Sequence, residues 1–132
     1  MKIRKLFGTA GEPFSIFLAG TGTIVKAIMS LSQEEISAPE HIDLRLAFMT
    51  LDWIRTGEID PWECALCARS FSGLRQLACI AVIRRARGGP LTRDNPAITP
   101  AICHRCDSVS TYEMRRRIER TYGLSRMQEG TA

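Results

Sequence analysis

The chain has 132 residues, 45% of them hydrophobic and 24% charged, which is enough for one domain or a small domain with appended elements. That mixture excludes collagen-like, low-complexity and fully disordered chains. The net charge of +4 is unevenly spread: residues 1–63 hold 6 basic and 9 acidic side chains, whereas residues 64–132 hold 12 and 5, so the positive charge lies on the second half.

Residues 1–13 read as a basic, loose start. Lys2, Arg4 and Lys5 precede an apolar stretch from Phe14 to Leu31, an order superficially like a signal peptide or membrane anchor. Glu12, Pro13 and the internal Lys26 interrupt it, and no small-x-small cleavage site follows. The spacing predicts two short buried segments, Phe14–Ala19 and Thr23–Met29, separated by a glycine turn and forming either a hairpin or a strand leading into a helix. Gly20-Thr21-Gly22-Thr23 lacks the Gly-x-x-x-x-Gly-Lys-Ser/Thr pattern of a phosphate-binding loop and reads as that turn.

Leu31–Glu40 is a polar connection with two capping-box patterns, Ser32-x-x-Glu35 and Ser37-x-x-Glu40. Pro39 favours the second as a helix entrance. Leu44, Ala47, Phe48, Leu51 and Ile54 then recur at three- and four-residue spacing, predicting a helix over about 39–56 that Gly57 stops. Asp43, Arg45, Asp52 and Arg55 fall on its other side, and Met49 and Trp53 are candidates for exposed apolar contacts.

The second half opens on Ile59-Asp60-Pro61-Trp62, a turn running into Cys64-Ala65-Leu66-Cys67. Leu77–Ile83 reads as a buried strand, Arg87-Gly88-Gly89-Pro90 as a turn, and 97–102 as a second extended piece leading to Cys103-His104-Arg105-Cys106. Ser110-x-x-Glu113 is a further capping box, opening a helix to about Tyr122 that Gly123 closes. The residues beyond are expected to fray.

Of the five cysteines, four form these two Cys-x-x-Cys pairs. A secreted disulfide scaffold has a denser and even cysteine set. The pattern instead predicts a reducing, cytoplasmic compartment and a metal. Two intervening residues let the backbone turn tightly and aim both thiolates at one ion, and a second pair closes a tetrahedral sphere. The sequence therefore assigns one structural Zn2+ to Cys64, Cys67, Cys103 and Cys106. The 35-residue insert between the pairs reads as strand, turn, strand.

The resulting order of knuckle, hairpin, knuckle and helix is similar to a treble-clef zinc finger and, with a shifted helix, to a zinc ribbon. The resemblance spans about Trp62 to Tyr122 and concerns architecture alone. Cys79 reads as a small core residue, and His104 as an exposed knuckle residue whose neighbours already fill the sphere. A thioredoxin-like reading of Trp62–Cys67 leaves the second pair unexplained.

Enzymatic readings fit poorly. Four thiolates leave no open metal position, and the insert contains no histidine for a nuclease. His41-Ile42-Asp43 ahead of Pro61–Cys67 only distorts the deaminase pattern. The expected role is binding rather than catalysis, with no small-molecule substrate and no membrane.

Of 18 cationic residues 15 are Arg, an excess that GC-rich codon usage also produces. Arg84, Arg85 and Arg87 at the hairpin and Arg115, Arg116, Arg117 and Arg120 on the last helix form a candidate phosphate-gripping face for DNA or RNA. The alternative is an adaptor or assembly subunit meeting an acidic protein surface. The expected architecture is α+β: a mainly helical portion over 1–60, a four-cysteine module over 61–125 and a flexible tail over 126–132.

Overall fold

A computed structural model describes residues 4–7, 14–85 and 97–122. The predicted turn at Arg87–Pro90, the helix stop at Gly123 and the tail lie outside the described residues. The fold is α+β. A four-stranded antiparallel sheet runs in the order β1 (Arg4–Phe7), β2 (Phe14–Gly20), β5 (Leu77–Arg85), β6 (Ala101–Cys103), and a two-stranded ribbon pairs β3 (Trp62–Glu63) with β4 (Ser70–Phe71). Helices α1 (Thr21–Ser30) and α3 (Ile42–Thr56) pack on each other and on β5, and α4 (Thr111–Tyr122) ends the described chain.

The N-terminal portion is mainly helical among its described residues, as expected, but is not helical alone. It supplies two strands, and the basic start contains β1, paired with β2 from Arg4↔Leu18 to Phe7↔Ser15. Four residues show no readable period-2 pattern, but Arg4 and Lys5 are the composition that edge strands carry against unwanted pairing. β2 then pairs with β5 from Phe14↔Arg85 to Gly20↔Cys79. Strands from both sides of residue 60 thus pair in one sheet, and described residues from both sides share one core.

The apolar stretch 14–31 takes the strand-then-helix alternative. Ile16 to Ala19 are buried, as expected for the first segment. The second is not a buried segment but an amphipathic helix, with Ile24 buried and Val25 and Met29 exposed. No helix among the described residues is long and apolar enough to cross a membrane.

Between α1 and α3 the first capping box is the one formed. Ser32 Oγ accepts the Glu35 N–H and Glu35 Oε1 accepts the Ser32 N–H, opening the short α2 (Gln33–Ile36). Ser37 instead turns its hydroxyl to Gln33 O, and Pro39 starts a 3-10 turn, Pro39–His41, so the second box is not used. Within α3, Leu44, Ala47, Leu51 and Ile54 are buried, and Gly57 ends the helix with φ +86°, a left-handed conformation that L side chains adopt at a cost.

Along β5 every residue from Leu77 to Ile83 is buried. Successive strand residues face opposite ways, so both faces of this strand are covered. Helix α3 is fastened to the sheet twice. Thr50 donates to Thr99 Oγ1 at 2.7 Å. Arg84 reaches Asp43 in bidentate fashion, Nε to Oδ1 at 2.6 Å and a terminal nitrogen to Oδ2 at 3.3 Å, with both side chains mostly buried.

Because removing one partner of a shielded ion pair leaves the other uncompensated, Asp43→Ala is expected to cost about 1–3 kcal/mol. Urea unfolding checks this: the midpoint should fall with the slope unchanged.

Candidate metal centre

Each knuckle is built by backbone hydrogen bonds that turn two cysteines toward one point. In the first, Cys64 N donates to Arg69 O and Ala68 N to Cys64 O, both at 2.9 Å. Ala68 takes φ +62°, where glycine is usual, a strain of roughly 1 kcal/mol held by the turn around it. Trp62 anchors this knuckle from below: it is 2% exposed, its indole N–H donates to Gly73 O at 2.8 Å, and its ring lies 5.3 Å from that of Phe71.

The second knuckle follows β6 directly. Cys106 N and Asp107 N both donate to Cys103 O, and His104 N donates to Gln76 O. A parallel bridge between Cys64 and Ala101, with Ala65 N donating to Ala101 O at 2.9 Å, locks the first knuckle beside β6. Cys79, buried in β5 as expected, donates to Asp107 Oδ1 at 3.6 Å and ties the second knuckle to the sheet.

The four sulfurs of Cys64, Cys67, Cys103 and Cys106 lie within 4.8 Å of one another and can hold one metal ion. Two opposite edges of the group, Cys64–Cys106 and Cys67–Cys103, each measure 3.8 Å. A tetrahedron with metal–sulfur bonds of about 2.3 Å has edges of about 3.8 Å. Disulfides would need about 2.05 Å. The spacing therefore fits a shared cation.

The electrostatics of the thiols differ with their surroundings. Burial pushes the Cys64 thiol up, but N–H groups of Cys103 and Leu66 aimed at its sulfur outweigh that and bring it down to about 7. Burial raises Cys103 and Cys106, which have no comparable set of donors. Tyr122, at the end of α4, is raised by burial and then by the charges of Cys64 and Glu63, so the last helical turn lies beside the first knuckle.

The predicted arginine face is only partly free. Arg84 is engaged by Asp43 and does not stand on an open hairpin tip. On α4, Arg115 pairs with Glu119 at 3.0 Å and Arg117 with Glu113 at 3.1 Å, while Met114 and Ile118 are fully buried. Arg116 and Arg120 are exposed, and the Arg116 guanidinium sits 5.9 Å from the Tyr112 ring centroid. Arg87 and the side chain of Arg85 lie outside the described residues.

Sequence reasoning missed cations on and near the knuckles. Arg69, Arg75 and Arg105 are exposed, and none pairs with an acid among the described residues. Their closeness in sequence to ligand cysteines was the available signal. His104 is exposed as expected and contributes, with Gly20–Thr23, Lys26, Leu51, Leu74 and Ala78, to an open cleft of about 950 Å³. No protein-family model matches this chain, and no curated protein or solved structure matches it either.

Proposed function

We propose that the chain is a small binding protein in which one structural Zn2+, held by Cys64, Cys67, Cys103 and Cys106, presents a basic surface to a nucleic-acid backbone. The observation that carries the metal reading is the pair of 3.8 Å sulfur edges spanning two knuckles. Zinc fits four thiolates because it tolerates a closed tetrahedral sulfur sphere and undergoes no redox change in it. The order of knuckle, strands, knuckle and helix is treble-clef-like, here built into a larger sheet. A closed sphere leaves no position for substrate or water, which favours recognition over catalysis in a reducing, cytoplasmic setting.

The exposed cations that would form this surface are Arg69, Arg75 and Arg105, on and near the knuckles, and Arg116 and Arg120 on α4. Arginine forks suit phosphate oxygens, and such contacts are salt-sensitive and blind to sequence. The combined Arg69→Ala, Arg75→Ala, Arg105→Ala variant is expected to bind DNA or RNA more weakly on every sequence, and to flatten the slope of log affinity against log salt by about 2–3. Fluorescence anisotropy across a salt series measures both. An absence of binding at low salt, or an unchanged slope, would remove this reading.

A second reading, a protein-interaction adaptor, is favoured by a different observation: Val25 and Met29 on α1 and Met49 and Trp53 on α3 are exposed large apolar side chains. It gains weight if nucleic-acid binding is absent.

A further inference from the structure

The four ligand residues are unequal in exposure. Cys64 and Cys103 are 1% exposed and Cys106 6%, and the fifth cysteine, Cys79, is fully buried. Cys67 alone among the described cysteines is open to solvent. The sulfurs also differ in their donors. Cys64 Sγ receives N–H groups from Leu66 and Cys103, both at 3.5 Å, whereas no backbone N–H among the described residues is directed at Cys67 Sγ. The sulfur of Cys103, on the other knuckle, lies 3.8 Å from it.

A coordinated thiol is held as thiolate, the nucleophilic form, so access and competing hydrogen bonds decide which ligand reacts first. We infer that Cys67 is a modification site of the metal centre, where hydrogen peroxide or a soft electrophile attacks first and peroxide leads to a Cys67–Cys103 disulfide that expels the metal. This rests on the zinc reading above.

The chemistry balances as two steps. The Cys67 thiolate attacks one peroxide oxygen, breaking the O–O bond to give Cys67 sulfenic acid and hydroxide. The Cys103 thiolate then attacks the Cys67 sulfur, forming the S–S bond and displacing a second hydroxide. Two thiolates lose two electrons, one peroxide gains them, and solvent protons convert the hydroxides to water. Only Cys64 and Cys106 then remain as thiolate donors, so Zn2+ leaves.

The test uses the full chain, loaded with zinc and freed of excess metal. Substoichiometric N-ethylmaleimide is expected to alkylate Cys67 before any other cysteine. In a separate sample, one equivalent of peroxide is added in the presence of a zinc-sensitive dye, the remaining thiols are blocked, and the protein is mapped by trypsin without reduction. Cleavage after Arg105 separates Cys103 from Cys106, and tandem mass spectrometry of the 56–69 peptide, which carries both Cys64 and Cys67, shows which of the two is linked and which is blocked.

The expected result is zinc release in step with a Cys67–Cys103 cross-link, reversed by a dithiol reductant and leaving Cys79 unmodified. First alkylation at another cysteine, a disulfide within either Cys-x-x-Cys pair, or zinc loss with Cys67 intact would overturn the inference. A chain that takes up no zinc before any reagent is added overturns the zinc reading instead, and this inference with it.

Discussion

Stripping the metal with a chelator is expected to release β3, β4, the turn after β6 and α4, while β2 and β5 keep their protection against hydrogen exchange. Four-thiolate zinc contributes about 10–16 kcal/mol to a small module, comparable with the whole stability of a domain at about 5–15 kcal/mol. The ribbon has two residues per strand, and the second knuckle is a single turn, so neither retains much once the ion leaves.

The other layer differs. Ile16, Leu18, Ile24, Leu51, Ile54, Ile80 and Val82 are all at most 3% exposed, and none of them is a ligand. The unfolding should therefore be sub-global, confined to the part with few apolar contacts of its own. Exchange mass spectrometry with and without chelator measures it, and Cys103→Ser should reproduce the chelated pattern.

The effect has a defined pH sign. Each ligand must be deprotonated to bind, and burial holds Cys103 and Cys106 above the ordinary thiol range. Metal affinity therefore falls as pH is lowered, and acid gives the same exchange pattern as chelation. Identical exchange with and without metal would show that the knuckles stand by packing alone.

What could be read from the residues depended on whether the determining interactions were local. Helix α3 was legible because four buried positions repeat at helical spacing and Gly57 supplies the stop. β5 was legible as an uninterrupted apolar run, and the four-cysteine cluster because Cys-x-x-Cys spacing is itself a local constraint. The i,i+4 pairs Glu113–Arg117 and Arg115–Glu119 were also local and could have warned that part of the α4 arginine face is occupied.

The contact of Arg84 with Asp43 joins residues 41 apart, and no pattern in either segment announces it. The same holds for the pairing of β2 with β5, which merges the two halves into one sheet. Strand partners are chosen by tertiary packing, and a seven-residue apolar strand fits a hairpin or a distant neighbour equally well. The choice between two capping boxes also lay beyond propensity, because Pro39 began a 3-10 turn ahead of α3 rather than the helix itself.

Trp62→Ala is expected to destabilise the zinc-loaded protein by about 3–5 kcal/mol, the range for truncating a buried aromatic, and to weaken metal binding as well. Three observations converge on this side chain. It is 2% exposed. Its ring lies 5.3 Å from Phe71 at a tilt of 45°, across the β3–β4 pair. Its indole N–H satisfies Gly73 O.

The residue therefore closes the loop 62–73 that carries Cys64 and Cys67, and its loss removes packing from beneath two ligands at once. Trp62→Phe separates the contributions. It keeps most of the apolar contact but deletes the donor, leaving the Gly73 carbonyl unpaired at about 1–3 kcal/mol. Denaturant unfolding at fixed free zinc gives the stability changes, and competition against a chelator of known affinity gives the metal term. If the alanine variant lowered stability without changing zinc affinity, the first knuckle would be shaped by the ion and not by the tryptophan. A joint loss, smaller for phenylalanine than for alanine, is the outcome that the geometry of Trp62 requires.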